Sequence, residues 1–385
     1  MTTIKDVYSL SELNVSHNPM MESLTTSIYN SIVDSFFINR WKFKNRWFHY
    51  FYSFLAIASF VIKTTLFVLE IISNLNSKSL DSSVISYVIT EVWLLFIVLE
   101  TLVYPSAQFI ESFDTIWTQL PLSKEPDIIK ELMKLLRFAN IISITLFMTG
   151  TVISIVSGTF EYLSHLEAAS KSYKYYFIGL KLIELYSNLI FVNIFRGFYI
   201  CGAFIKIGHC YIHRRTIEII KDAYASDLTI YRLRHQHYDL ARCGELCDLT
   251  FRRFVTICCI TTAPNTILIL YNLAYTNLDL TSKICNILLI IQFSIFLLLF
   301  FPCLIGFYSY PGQSRDDLYL STLVERSNTF KSEVLLFMDL LNQRSCGIKF
   351  MGIYLITPSI VPNLATLVFT YVMAAPNFFT SNKQA

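Results

Sequence analysis

The sequence predicts an all-α polytopic membrane protein with seven transmembrane helices, its N-terminus cytosolic and its C-terminus extracellular. Three observations predict it. Hydrophobic residues make up 54% of the 385 and charged residues only 15%, where a soluble chain carries about a quarter charged. The apolar excess gathers in seven blocks, each of about 20 residues or more, the length that crosses a hydrocarbon core. The basic residues, finally, crowd onto one side of those blocks.

Taken in order, segment 1–47 is polar and mixed. It shows no short apolar stretch behind a basic start, so an internal span is expected to serve as the insertion signal. At its end NRWKFKNRWFHYF, Asn39 to Phe51, reads as an interfacial anchor with aromatic rings at headgroup depth, or else as a partner-helix site. Residues 48–205 hold spans one to four, at 48–72, 84–109, 138–160 and 175–205. Segment 206–252 is a cytosolic helical extension. Residues 253–308 hold spans five and six, at 253–275 and 284–308. Segment 309–349 is a cytosolic amphipathic helix, 350–379 is the last span and 380–385 an extracellular tail. Long and short connectors alternate, which puts every long one on the same membrane face.

Charge orients the bundle. Of 31 Lys and Arg, 23 fall in the long segments, counting Arg253 at the edge of its span. The short-loop side holds only Lys78, Lys171, Lys174, Lys283 and Lys383. The positive-inside rule therefore places the long segments in the cytosol, opposite to a G-protein-coupled receptor. None of the nine cysteines lies in an outer loop, although Cys285 sits at a span edge, so no extracellular disulfide framework is implied. The one glycosylation sequon, at Asn14, falls on the cytosolic side.

The cytosolic segments read as helices with apolar stripes. Leu323, Phe330, Val334, Phe337, Met338 and Leu341 recur at spacings of three, four and seven. Tyr231, Tyr238, Ala241 and Leu249 form a broader face in segment 227–250. Packing within one chain and packing between subunits explain such stripes equally well.

Chemistry is sparse. His209, Cys210, His213, His235, His237, Cys243 and Cys247 cluster in sequence, and Cys243 and Cys247 share a helical face. Yet CxxxC beside scattered histidines is a weak zinc signal, and neither metal nor cofactor is expected. No G-x-S-x-G, phosphate-binding loop or H-E-x-x-H is present, and no reaction-competent pair of side chains emerges, so an enzyme is not expected. Glu70, Glu91, Glu100 and Glu184 fall within spans, where an acid should face the bundle and find a partner.

The last span carries the clearest pattern. Ser359, Asn363, Thr366, Thr370, Ala374 and Asn377 follow at four, three, four, four and three, one face of a helix. The face rises about 27 Å. Such a stripe lines a water-filled path or packs helices closely through small residues; spacing alone leaves both open. Pro376 predicts a kink or an end near the outer mouth, and Pro358 and Pro362 a second irregularity near the cytosolic entry.

TYVMAAPNF, residues 370 to 378, resembles the Thr-Tyr, five hydrophobics, Gln-Phe signature that ends insect gustatory receptors. Asn377 stands where that family has Gln, and Pro376 is an unusual member of the five. EVLLFMDLLNQ and GIYLITPS are also similar to related nematode chemoreceptors. The resemblance implies a ligand-gated, non-selective cation channel in the plasma membrane of sensory neurons, tetrameric as a homotetramer or with related subunits. In the family the last helix lines a central pore and the cytosolic helices form an anchor domain. Carried over, Asn377 is a pore-lining amide and Ala374 lies at the gate; Ala being small, either a neighbour such as Phe378 narrows the pore or the gate lies elsewhere, and Thr370 and Tyr371 position the helix. A small organic ligand is then expected in the outer half of the bundle, within reach of Tyr87, Glu91, Trp93, Phe160, Tyr176, Tyr271 and Gln292. The expected partners are this ligand, conducted cations, like subunits and membrane lipid, with no nucleic acid. The rival reading is a seven-span receptor that signals through a partner docked on 206–252; a transporter is a third.

Overall fold

A computed structural model of the chain describes residues 126–165, 171–222, 226–275, 280–309, 314–323, 326–343 and 347–380, with five helical positions in the first predicted span, Phe54, Ala58, Val61, Thr65 and Ile72. The second predicted span, the segment Asn39 to Phe51, and Glu70, Glu91 and Glu100 lie outside the described residues, as does the side chain of Glu184.

Seven helices and one small hairpin follow in the continuous part: α1 Pro126–His165, α2 Lys171–Lys221, α3 Asp227–Tyr275, α4 Leu280–Ser309, α5 Ser314–Thr322, α6 Asn328–Gln343, β1 Lys349–Phe350, β2 Tyr354–Leu355 and α7 Ile360–Thr380. Pro126 opens α1, where a residue without an N–H costs nothing. Four stretches are long and apolar enough to cross a membrane: Ile128–Ile153, Phe191–Lys221, Asp227–Tyr275 and Asn286–Tyr308. They overlap predicted spans three to six, with bounds shifted by up to 26 residues. At 51 and 49 residues, α2 and α3 are each about 75 Å long, more than twice the hydrocarbon thickness. Segment 206–252 is thus two arms continuous with spans four and five. We call the end where these arms lie the basal end, the one that charge assigns to the cytosol.

Phenylalanine fills the centre of the bundle. Phe191, Phe195 and Phe198 of α2 recur at four and three, as helix geometry requires of a buried face. They meet Phe251 and Phe254 of α3 and Phe296, Phe300 and Phe307 of α4. Ring centroids lie 5.2 Å apart for Phe195–Phe296, 5.4 Å for Phe198–Phe251 and 5.7 Å for Phe198–Phe300. Lipid tails are as apolar as Leu, so packing of this kind, rather than escape from water, holds membrane helices together. Between α1 and α2, Gly150 leaves the space that the Asn188 amide fills, since a Cβ there would stand 2.2 Å from Nδ2. That amide donates to the Phe147 carbonyl at 3.4 Å.

The basal end has its own core. Phe330, Val334 and Phe337 of α6 are fully buried against α3, whose inward face is Ile230, Leu233, His237 and Leu240. Arg234 and Glu333 bridge the two helices at 3.0 Å. Arg326 closes the C-terminus of α2, donating from Nη2 to the carbonyls of Ile220 and Asp222 at 3.1 and 2.8 Å, and stacks on Phe330. Ser327 Oγ accepts the Phe330 N–H at 3.1 Å, a helix N-cap. It also donates to Asp227, whose other carboxylate oxygen takes the Thr329 hydroxyl.

Three expectations change here. The stripe read from Leu323 to Leu341 is not one helix: α5 ends at Thr322, Leu323 is 69% exposed, and α6 starts afresh behind its Ser327 cap. In segment 227–250 the expected face is wrong, because Tyr231, Tyr238 and Leu249 are exposed and only Ala241 is buried. The true inward face mixes His237, Cys243, Cys247 and Asp248 with Leu and Ile, so an apolar-only reading misplaced it. The last helix begins at Ile360 rather than 350, because the hairpin occupies the first residues of that span.

Candidate pore helix and its basal clamp

Helix α7 is joined to α6 through an antiparallel hairpin in which Lys349 pairs with Leu355 and Phe350 with Tyr354. Its turn, Met351 to Ile353, requires positive φ at Met351 (52°) and Gly352 (78°); the second suits glycine. A Cβ at Gly352 would also come within 2.9 Å of the Arg252 guanidinium. The hairpin is pinned to α3 at two points. Asp248, buried, accepts the backbone N–H of Lys349 at 2.7 Å and is itself held by the Arg252 guanidinium, whose Nε donates at 3.2 Å and whose Nη2 donates to the same oxygen. Thr256 Oγ1 accepts the Met351 N–H at 3.0 Å. Asp248, Arg252 and Thr256 are spaced by four on one face of α3.

Beyond the hairpin the Thr357 and Ser359 hydroxyls share a hydrogen bond of 2.7 Å. The Ser359 carbonyl accepts the Asn363 N–H at 3.2 Å, opening the helix. Pro362 lies in the first turn, where no intrahelical N–H is lost. The helix then runs through Pro376 to Thr380, so of the kink or end expected at Pro376 the end does not occur.

The two faces of α7 decide its orientation. Val361, Leu364, Val368 and Val372 are half-buried, and α7 lies along α3; Val361 and Leu364 pack on the main core. The stripe of Ser359, Asn363, Thr366 and Thr370 is exposed. At 100° per residue the stripe points about 180° away from the packed face. The described part of this chain therefore does not cover it, and close packing of these small residues within the chain is ruled out for the described residues. Ala374, at the stripe's upper end, is half-buried. The side chains of Asn377 and Phe378 lie outside the described residues, although both belong to the helix.

The expected ligand set is only partly placed. Tyr87, Glu91 and Trp93 lie outside the described residues; Phe160 and Tyr176 belong to α1 and α2, with side chains that are likewise not described. Tyr271 is buried on α3 beside Tyr275, at 5.5 Å between centroids, and Gln292 is half-buried on α4. Sequence reasoning missed a polar face on the same part of α3: Thr262, Asn265 and Asn272 are buried, and neither amide atom of Asn265 has a hydrogen-bond partner. The spacing Cys258, Thr262, Asn265, Ile269, Asn272 was the available signal.

The histidine and cysteine motif separates in space. His209 and His237 meet, with centroids 5.3 Å apart, and His237 stands edge-on to Phe337. His235 instead lies on Tyr231 and His213 near Asp317. Among the described residues no three metal-ligating side chains come together. His209 lies on α2 within the apolar stretch Phe191–Lys221.

No family model matches the sequence, and no curated protein matches it. Solved structures do. The insect olfactory receptor OR5 from Machilis hrabei in complex with eugenol matches with a TM-score of 0.70 at 10% identity, covering 93% of this chain and 99% of that one. A second structure of the same receptor matches with a TM-score of 0.56 at 11% identity, covering 84% and 87%. At such low identity and such full coverage the shared property is architecture: this chain has the fold of an insect olfactory receptor.

Proposed function

We propose that the protein is a chemosensory receptor, gustatory in role, that works as a ligand-gated non-selective cation channel. The observation that carries this reading is the polar stripe of α7 from Ser359 to Thr370, which faces away from the described part of its own bundle. Asn363 against lipid would leave a carboxamide unpaired, at roughly 2–7 kcal/mol depending on the reference state. Against a water-filled path it is solvated, and non-bundle polar surface at membrane depth is tolerated in such a place. Copies of α7 around an axis, four by the resemblance, would enclose that path, with Ala374, Asn377 and Phe378 toward its outer mouth.

The fold supports the reading, since the matching structure is a receptor solved with a small organic molecule. For this chain we place the ligand in the outer half of the bundle, near Tyr87, Glu91, Trp93, Phe160, Tyr176, Tyr271 and Gln292. Ligand binding favours the arrangement in which α7 opens the path, and can do so only by its differential affinity for that arrangement. Plasma-membrane residence in sensory neurons and tetrameric assembly, homomeric or heteromeric, belong to the same proposal.

Heterologous expression with whole-cell recording across a tastant panel tests it. Thr366→Leu and Ala374→Trp should each reduce current at least several-fold with surface expression unchanged, and Asn377→Ala should alter conductance or ion preference. A surface-expressed wild-type chain that responds to tastants through a second messenger, yet passes no current, would sink the channel reading.

A further inference from the structure

Helix α1 has two opposed faces. Ile128, Leu132, Leu136, Ala139 and Leu146 are buried in the bundle. On the far side, positions 130, 134, 137, 141, 144, 148, 152 and 155 recur at threes and fours, within a sector of about 80°. All are exposed. The upper part of this face is apolar: Ile141, Ile144, Met148, Val152 and Ile155 are each 46–63% exposed. The lower part is basic: Lys130, Lys134 and Arg137. The change takes one turn, between Arg137 and Ile141.

Distances give that change a meaning. Arg137 to Ile155 spans about 27 Å along the axis, close to the hydrocarbon thickness of about 30 Å. If the apolar stretch meets acyl chains, Arg137 stands at their edge, and Lys134 and Lys130 fall about 4 and 10 Å further out, at headgroup depth. The neighbouring helix adds cations at the same level. Lys206 and Arg214 of α2 are exposed, as is Glu131 of α1, and α2 packs along α1.

We propose that Lys130, Lys134 and Arg137, with Lys206 and Arg214 beside them, bind the headgroups of anionic phospholipids in the leaflet at the basal end. Charge complementarity identifies an anion. Continuity with the lipid-facing stripe on the same helix face identifies a lipid, because the headgroup that reaches these cations has its acyl chains along Ile141 and Ile144. A basic cluster next to a span is attracted to an anionic surface by about fivefold in affinity per cation. The inference rests on the membrane-spanning reading of α1 and on the basal end facing the cytosol, and not on ion conduction.

Full-length protein in a neutral detergent, titrated with fluorescent short-chain phosphatidylserine and with matched phosphatidylcholine, tests it. Phosphatidylserine should bind more tightly. The triple variant Lys130→Gln, Lys134→Gln, Arg137→Gln should weaken it roughly a hundredfold, while the charge-preserving triple Lys130→Arg, Lys134→Arg, Arg137→Lys should bind as the wild type. Should the triple Gln variant fail to fold, Lys134→Gln alone should weaken binding about fivefold. Equal binding of the two lipids, undiminished binding by the Gln variants, or equally tight binding of free glycerophosphoserine would overturn the proposal. Binding is read without current, so a chain that conducts nothing leaves the result intact. A terminal tag showing the basal end outside the cell would overturn the leaflet and leave the lipid.

Discussion

Asp248 joins two parts of the molecule through one side chain: the Arg252 guanidinium on its own helix and the Lys349 N–H on the hairpin. Its carboxylate is 5% exposed and Arg252 28%, so both partners lose a solvated alternative if it goes. Asp248→Asn should destabilise the chain by roughly 1–3 kcal/mol, seen as a lower melting midpoint of the purified protein, and should shift the tastant concentration for half-maximal response. Neither this role nor the His209–His237 contact was legible in the sequence. Asp248 finds its partner about a hundred residues away, and His209 and His237 read as fragments of a metal motif rather than as a pair of tilted rings in contact inside a core.

Whether an element was legible depended on how its faces are marked. The stripe of α7 was visible because Ser, Asn and Thr recur among Val, Leu and Phe, and the periodicity needs no partner to be read. The membrane-length apolar stretches of α1 to α4 were visible as unbroken apolar length. The α5–α6 break was hidden because Leu323 precedes Phe330 by seven residues, which continues the stripe across a junction that only the Ser327 cap reveals. The hairpin was hidden because KFMGIYL is apolar enough to pass for the start of a span. Helix α6 yields the clearest prediction at this scale. Phe337 is fully buried and touches His237, so Phe337→Ala should destabilise the basal core by about 3–5 kcal/mol. Limited proteolysis should then cut the basal arms first. Leu335→Ala, on the exposed side of the same helix, should change little.

For the whole molecule, a TM-score of 0.70 at 10% identity shows how little of this architecture depends on particular side chains. Apolar length, alternate connector size and a few close approaches such as Gly150 on Asn188 specify it, and many sequences meet those conditions. An orientation is expected from charge, because the positive-inside bias acts on whole loops rather than on contacts. Epitope tags on intact and permeabilised cells should find the N-terminus inside and the C-terminus outside; the reverse would remove both the orientation and the channel proposal. The ligand was not legible, since a pocket is made by residues from several helices whose spacing in sequence carries no common period.

The two pins on the hairpin, at Asp248 and Thr256, lie about 12 Å apart along α3. Sliding α7 up or down relative to α3 would break both together. Turning α7 about its own long axis breaks neither, because the pins hold the strand before the helix and not the helix itself. The clamp thus sets the depth at which α7 starts, and the azimuth of its stripe rests on a separate contact, the face of Val361, Leu364, Val368 and Val372 laid along α3.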